Sequence, residues 1–347
     1  MARELIVTVE SVTPLFLGGA KARELADAIR PASIRGQVRY WLRAMLGAGI
    51  DPTDKEALKT LKESEGKFMG NTEAGSPVRF RVRSDRPLGY VEKKDGGRRM
   101  LPHRVAGVKE QRGAPNPLCE AAIIENQTFD IILSPRPGRY TIPNEVVAAT
   151  LLWLHLGGLG KRSRRGFGSL QPVKWAASED VLTPEAREHL PNGHPGDAAA
   201  LRSQLGDLLN WLGGVAGVST GSWASRSDYP ILHADVAGVR VSDAVTGYRL
   251  TSYHQAMVPF WRESLRNVDK ELKDNRAYGY ASNDRRASPF HLHIARTAQG
   301  YHQVFTTFWA EPSQYENDPR RGWDKVAGLL ADVETEFGAT NLWGRAS

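Results

Sequence analysis

Two short segments alternate apolar and polar residues too strictly for any regular element except a half-buried strand. Residues 3–12 set Leu5, Val7 and Val9 against Ile6, Thr8 and Glu10, and residues 77–83 read Pro-Val-Arg-Phe-Arg-Val-Arg. A period of two sends the two sets to opposite faces, so the second segment presents a basic outer face. Pro14 closes the first strand, and Gly18-Gly19 makes a turn. Pro31 then opens a helix with Ser33 as its expected N-cap. Ile34, Val38, Trp41, Leu42, Met45 and Leu46 recur on it at the spacing of a buried stripe. Residues 127–134 read as a strand, Asn144 to Leu156 as a largely buried helix, and Ser169–Trp175 as a short strand. Residues 84–125, rich in Gly, Pro and charge, read as a long insertion. The order strand, helix, strand, insertion, strand, helix, strand is that of a ferredoxin-like (RRM-like) domain. Such a domain is an antiparallel sheet with helices on one face and the other face open to a ligand.

The second half is less regular. Two proline–glycine clusters and acidic residues over 176–200 precede a helix at about 198–212, so 176–225 reads as a linker and bridging helix. Tyr229–Val236 reads as a strand, Val258–Lys273 as a helix, Phe290–Ala295 with Val304–Ala310 as a hairpin around Gly300, and Trp323–Phe337 as a final helix. The expected fold class is α+β, with two ferredoxin-like domains over 1–175 and 226–347. A length of 347 residues suits two such domains, and 41% hydrophobic with 24% charged residues excludes a disordered, collagen-like or coiled-coil chain.

A single cysteine, Cys119, excludes an intrachain disulfide and a cysteine-based zinc site, and makes a cytoplasmic location the expectation. The longest mostly apolar stretch, Val146 to Gly160, contains His155 and is shorter than the roughly 20 residues of a membrane span, so no membrane partner is expected. Charge is uneven along the chain. Residues 1–174 hold 29 Lys+Arg against 18 Asp+Glu, a net of +11, and residues 175–347 hold 17 against 21, a net of −4. A basic half beside a mildly acidic one points to a polyanion partner without distinguishing RNA, DNA and an acidic protein surface.

Three segments concentrate that charge. Arg35, Arg39 and Arg43 recur every fourth residue on one flank of the first helix. Such a stripe is either a solvated face paired with nearby carboxylates, or a surface for phosphate or a partner protein. Residues 157–168 carry Gly157, Gly158, Gly160, Gly166 and Gly168 beside Lys161, Arg162, Arg164, Arg165 and Phe167. Glycines let backbone amides approach phosphate, and arginine offers bidentate donors. The segment matches neither a P-loop nor a dinucleotide fingerprint. Arg165-Gly166-Phe167-Gly168 mimics the start of an RRM sheet motif, but Ser169 and Pro172 stand where that motif has aromatics. Its plain alternative is a helix–strand connection with solvated charges. The insertion over 85–112 adds eight basic and four acidic residues, among them Lys93, Lys94, Arg98, Arg99 and Arg104; a flexible phosphate-tracking loop and a merely solvated one both fit.

Histidines are the obvious catalytic candidates. His291 and His293 share a face of a strand, with no cysteine or clear carboxylate partner for a metal. His155 sits in an apolar helix, and His103 and His254 lie in irregular segments. No catalytic constellation, cofactor motif or metal-ligand spacing emerges.

Thr13-Pro14-Leu15-Phe16-Leu17-Gly18-Gly19-Ala20 followed by Arg30-Pro31-Ala32-Ser33-Ile34-Arg35-Gly36-Gln37-Val38-Arg39-Tyr40-Trp41-Leu42-Arg43-Ala44 resembles the opening of the RAMP proteins of CRISPR–Cas systems. Gly157–Leu170 is similar to their glycine-rich loop. The pairing most resembles the first-subunit family of the type III-B (Cmr) RNA-guided effector complex. Arg285-Arg286-Ala287-Ser288-Pro289-Phe290 before His291-Leu292-His293 is similar to that family's second domain. The resemblance implies two ferredoxin-like domains, a non-catalytic role near the crRNA 3′ end, and contacts to crRNA or target RNA and to neighbouring effector subunits. Arg285 and Arg286 join the candidate RNA contacts on that ground. Two alternatives are a RAMP endoribonuclease that processes precursor crRNA with a histidine, and an assembly subunit that binds only protein. The mid-chain position of the glycine-rich loop speaks against the nuclease.

Overall fold

The computed structural model describes residues 3–18, 28–50, 55–84, 90–91, 122–123, 125–161, 163–164, 166–217, 229–244, 290–308, 330–331, 334–335 and 337–345. Its elements are β1 (Leu5–Ser11), α1 (Pro31–Gly47), α2 (Ala57–Met69), β2 (Val78–Arg83), β3 (Tyr90–Val91), β4 (Ala122–Ile123), β5 (Thr128–Pro135), α3 (Asn144–Leu156), β6 (Leu170–Ala177), α4 (Pro184–Glu188), α5 (Ala198–Ala216), β7 (Ala237–Val241), β8 (Phe290–Thr297), β9 (Gly300–Phe308) and β10 (Thr340–Gly344).

The first sheet has the order β2-β5-β1-β6 and the second β10-β7-β9-β8, all pairs antiparallel. Renumbered within each sheet, both follow the ferredoxin-like order 4-1-3-2, read from opposite edges. The expected α+β fold of two ferredoxin-like domains is therefore present. A short β3–β4 ladder joins the two ends of the insertion, and Leu15 bridges to Ile123.

Alternation accounts for β1 and β2. Leu5, Val7 and Val9 are buried opposite Leu133, Ile131 and Phe129, while Arg79, Arg81 and Arg83 are exposed. Helix α3 has no polar face: all eleven residues from Val146 to Leu156 are buried. A helix apolar all round must be covered on every side. It packs on α1, α5 and β6, and also on β8 and β9 of the second sheet. Val239, Val241, Ala295, Val304 and Phe308 consequently join the residues of the first sheet in one continuous core.

Four readings change. Ser33 does not cap α1: the helix starts at Pro31, whose missing N–H and fixed φ suit the first position, and Arg30 stands at the cap without a side-chain bond to the helix. Tyr229–Val236 is not a strand. The first strand of the second sheet begins at Ala237, after a turn closed by the amides of Val236 and Ala237 on the His233 carbonyl. Helix α2 lies where no element was expected. The segment over 176–225 holds two helices, α4 and α5. The helix expected over Val258–Lys273 falls outside the described residues, as does most of Trp323–Phe337.

Two glycines give opposite expectations. Gly168 has φ +65°, and a Cβ there would overlap the Leu159 carbonyl oxygen, whereas a Cβ at Gly206 within α5 meets nothing within 4 Å. Gly168→Ala should lower stability by about 2 kcal/mol or more, and Gly206→Ala should raise it by about 0.5–1 kcal/mol. Denaturant midpoints of the two variants against the parent test both signs.

Candidate nucleic-acid interface

The arginine stripe of α1 faces α2. Arg39 Nε lies 2.6 Å from Glu65 Oε1, and Arg43 pairs with Glu65 Oε2. Arg35 donates to the Met69 carbonyl, and Arg39 to the carbonyls of Met69 at 3.2 Å and Gly70 at 2.5 Å. Those carbonyls end α2, where the helix dipole favours cations. Burial, followed by the nearby guanidiniums of Arg39 and Arg136, lowers the pKa of Arg35 below its usual value. Like charges at every fourth residue are thus held by one nearly buried carboxylate and a helix C-terminus. Arg43 keeps 54% of its side chain exposed, more than Arg39 at 32%. Glu65→Gln should cost about 1–2 kcal/mol, because it leaves two guanidiniums without their carboxylate. A thermal melt of that variant is the check.

The glycine-rich segment is built into the junction of the two sheets. Gly160 and Gly166 adopt φ +88° and +82°. The Lys161 amide donates to the Phe16 carbonyl at 2.8 Å, the Gly168 amide to Pro14 at 2.9 Å, and the Leu159 amide to Gly168 at 2.8 Å. On the other side the Gly166 amide donates to Leu292 at 2.9 Å, and the Leu292 amide to Arg164 at 3.0 Å. The outer edge of β8 is therefore paired by this loop. Ser169 Oγ accepts from the Ile294 amide at 3.0 Å. The Gln171 side chain continues the pattern, accepting from the Arg296 amide at 2.7 Å and donating to its carbonyl at 2.9 Å. A Cβ on Gly157 would lie 2.6 Å from Trp41 Nε1, so that glycine lets α1 and α3 close. Phe167 is buried edge-on against Phe16, 5.1 Å between centroids.

Two of the loop's charged side chains fall among the described residues. Lys161 and Arg164 are half-buried. The Arg164 guanidinium sits 5.0 Å over the Tyr40 ring, and the Tyr40 hydroxyl is 3.0 Å from His291 Nε2. Arg162, Arg165, Lys93, Lys94, Arg98, Arg99, Arg285, Arg286, His103 and His254 lie outside the described residues. The basic side chains of β2 are missing from the candidates drawn from the sequence as RNA contacts, although the alternation over 77–83 had placed them outward.

The remaining candidate histidines are interior. His155, His291 and His293 are each no more than 5% exposed, and His293 Nδ1 is 2.7 Å from the Gly157 carbonyl. Burial lowers all three pKa values: His155 to about 3, with His293 adding to the effect; His293 to about 4, opposed by its bond to Gly157; and His291 well below its usual value, with Arg164 adding to the effect. They are neutral at neutral pH. Among the described residues no group of three or more His, Cys, Asp or Glu could hold a metal ion, and no helix is long and apolar enough to cross a membrane. Because the folded values lie below the unfolded value of about 6.5, the unfolded chain binds the extra protons. Stability is full above pH 6.5 and falls as pH drops below it, each histidine contributing up to about 2 kcal/mol by pH 5. Denaturant melts at pH 7 and pH 5 should show the loss, and His155→Leu should reduce its size.

A family model described as the RAMP superfamily matches residues 8–171. The chain is similar to the CRISPR system Cmr subunit Cmr1-2 of Pyrococcus furiosus, 29% identical over 188 residues that make up 48% of this chain and 94% of that protein. It is also similar to Cmr1-1 of the same organism, 30% identical over 180 residues, covering 50% of this chain and 48% of that one. Among solved structures, the apo form of Cmr1 from Pyrococcus furiosus shares the fold with a TM-score of 0.58 at 19% identity, covering 98% of this chain and 99% of that one. Type III-B Cmr-β bound to cognate target RNA contains a chain similar at a TM-score of 0.55 and 11% identity, over 96% and 99% of the two chains. At such identities the structural likeness speaks for the arrangement of two ferredoxin-like domains.

Proposed function

We propose that this chain, which matches the RAMP superfamily over residues 8–171 and has Cmr subunits as relatives, is a non-catalytic RNA-binding subunit of a type III-B RNA-guided effector complex. In this reading it contacts the crRNA 3′ region or target RNA and a neighbouring RAMP subunit. The observation that carries the RNA reading is the glycine-rich loop. Lys161, Arg162, Arg164 and Arg165 fall within five residues, and backbone bonds of Lys161, Arg164 and Gly166 anchor the described part of the loop before any ligand arrives. A pre-ordered cationic loop loses little entropy on meeting phosphate. The burial of His155, His291 and His293 favours the non-catalytic reading, since an acid or base must reach its substrate.

Replacing Arg162, Arg164 and Arg165 together by Ala should weaken binding of single-stranded RNA by about one to three powers of ten, at roughly 1.4 kcal/mol per tenfold. The fold should survive, because the loop's backbone bonds are kept. Gly166→Val forces a β-branched residue into a left-handed conformation beside Leu292, so it should lose both stability and affinity. Filter binding at fixed salt, beside a melting curve, reads both. Parental RNA affinity in the triple variant would assign the loop to protein contacts and favour the assembly-only reading.

A further inference from the structure

The outer face of the first sheet carries a cationic row that the glycine-rich loop does not explain. Arg79, Arg81 and Arg83 alternate along β2 and are all exposed. Alternate residues on a strand stand about 6.7 Å apart on one face, comparable to the separation of successive phosphates along an extended single strand. Two of the three have a carboxylate neighbour: Arg81 pairs with Glu4, and Arg83 with Asp130 at 2.7 Å. Arg79 has no partner among the described residues. Strand register aligns Arg83, Asp130, Thr8 and Lys174 in one row across the face, and Arg81, Ile132, Ile6 and Ala176 in the next. Lys174 is also exposed. Over these rows together with Arg79 and Glu4, four cations meet two anions.

We infer that the outer face of β2 is a second RNA track, on which Arg79, Arg81 and Arg83 contact successive phosphates of a single strand. This inference rests on the RNA-binding reading above. Edge strands are often blunted by charge to prevent strand addition, but blunting does not require three arginines on one face. Arginine presents a planar fork that suits phosphate. The two central strands offer Ile6, Thr8, Asp130 and Ile132, with no aromatic on which a base could stack. The track therefore reads backbone charge and not sequence. Asp130 and Glu4 compete with phosphate for the same guanidiniums, so each lowers the affinity of the track.

The experiment titrates a uridine oligomer onto the full chain by filter binding across a salt series. Arg79→Gln, Arg81→Gln and Arg83→Gln together should weaken binding about tenfold or more and lower the log–log salt slope by about 2, at roughly 0.7 per phosphate contact. Arg79→Gln alone, which breaks no ion pair, should lower the slope by about 0.7. Asp130→Asn should tighten binding. A mixed-sequence oligomer should respond as the uridine oligomer does. An unchanged slope in Arg79→Gln and the triple variant, with parental binding intact, overturns the track and leaves the loop reading standing. Absence of RNA binding by the parent overturns both. Loss of polyglutamate binding without loss of RNA binding would reassign the face to an acidic protein partner.

Discussion

Helix α3 offers no polar side to water, and the arrangement of the chain follows from that. Burying one stripe of a helix needs one sheet; burying a whole circumference needs cover on every side. The first sheet with α1, α2, α4 and α5 supplies part of this cover, and β8 with β9 supplies the rest. The two ferredoxin-like units are thus halves of one core, with Trp153 and Trp41 fully buried between them. Removing either sheet would expose leucine and valine side chains, at about 25 cal/mol for each Å² of apolar surface uncovered.

A core closed from two sides needs something that fixes register, because apolar contact alone is non-directional. Polar groups at the junction supply it. His293 meets the Gly157 carbonyl, His291 meets Tyr40, Thr13 Oγ1 donates to the Gly166 carbonyl at 2.7 Å, and Gln171 brackets Arg296. The contacts of His293, His291 and Gln171 would each leave a donor or acceptor unpaired if β8 slid by one residue, a penalty of about 1–3 kcal/mol per group. Arg296 also pairs with Glu10 at 2.7 Å, and Glu10 lies 3.4 Å from His194. That cluster ties β1, β8 and the segment before α5 on the outside of the junction.

The first half was largely legible because its patterns are local. Alternation marks β1 and β2, the stripe from Ile34 to Leu46 marks α1, and the apolar run marks α3 over the residues observed. The hairpin around Gly300 was legible for the same reason. Helix α2 was not: Ala57, Leu61 and Met69 are its buried apolar positions, a thin stripe among Lys, Glu and Gly. That stripe, and Glu65 at the matching spacing from Arg39 and Arg43 across the helix pair, would have been the signal. The glycine-rich loop was legible as composition and ambiguous as structure. Its glycines at 157, 160 and 166 are required by contacts with Trp41, Phe16 and Leu292, residues far away in sequence, so no local pattern separates phosphate cradle from domain junction. The start of β7 was missed because Tyr229–Val236 carries apolar residues into a turn rather than a strand.

The pairing of β8 with the glycine-rich loop and Gln171 has a consequence for how this molecule meets others of its kind. An unpaired strand edge is a template for any passing strand, and a chain with two four-stranded sheets begins with four such edges. Here β6 and β8 turn their edges toward each other, and the side chain of one glutamine stands in for a missing stretch of backbone. Of the four edges of these two sheets, those of β2 and β10 carry no further strand among the described residues. Strand addition to either four-stranded sheet falls to those two lines, among the described residues, and one of them is lined with arginine.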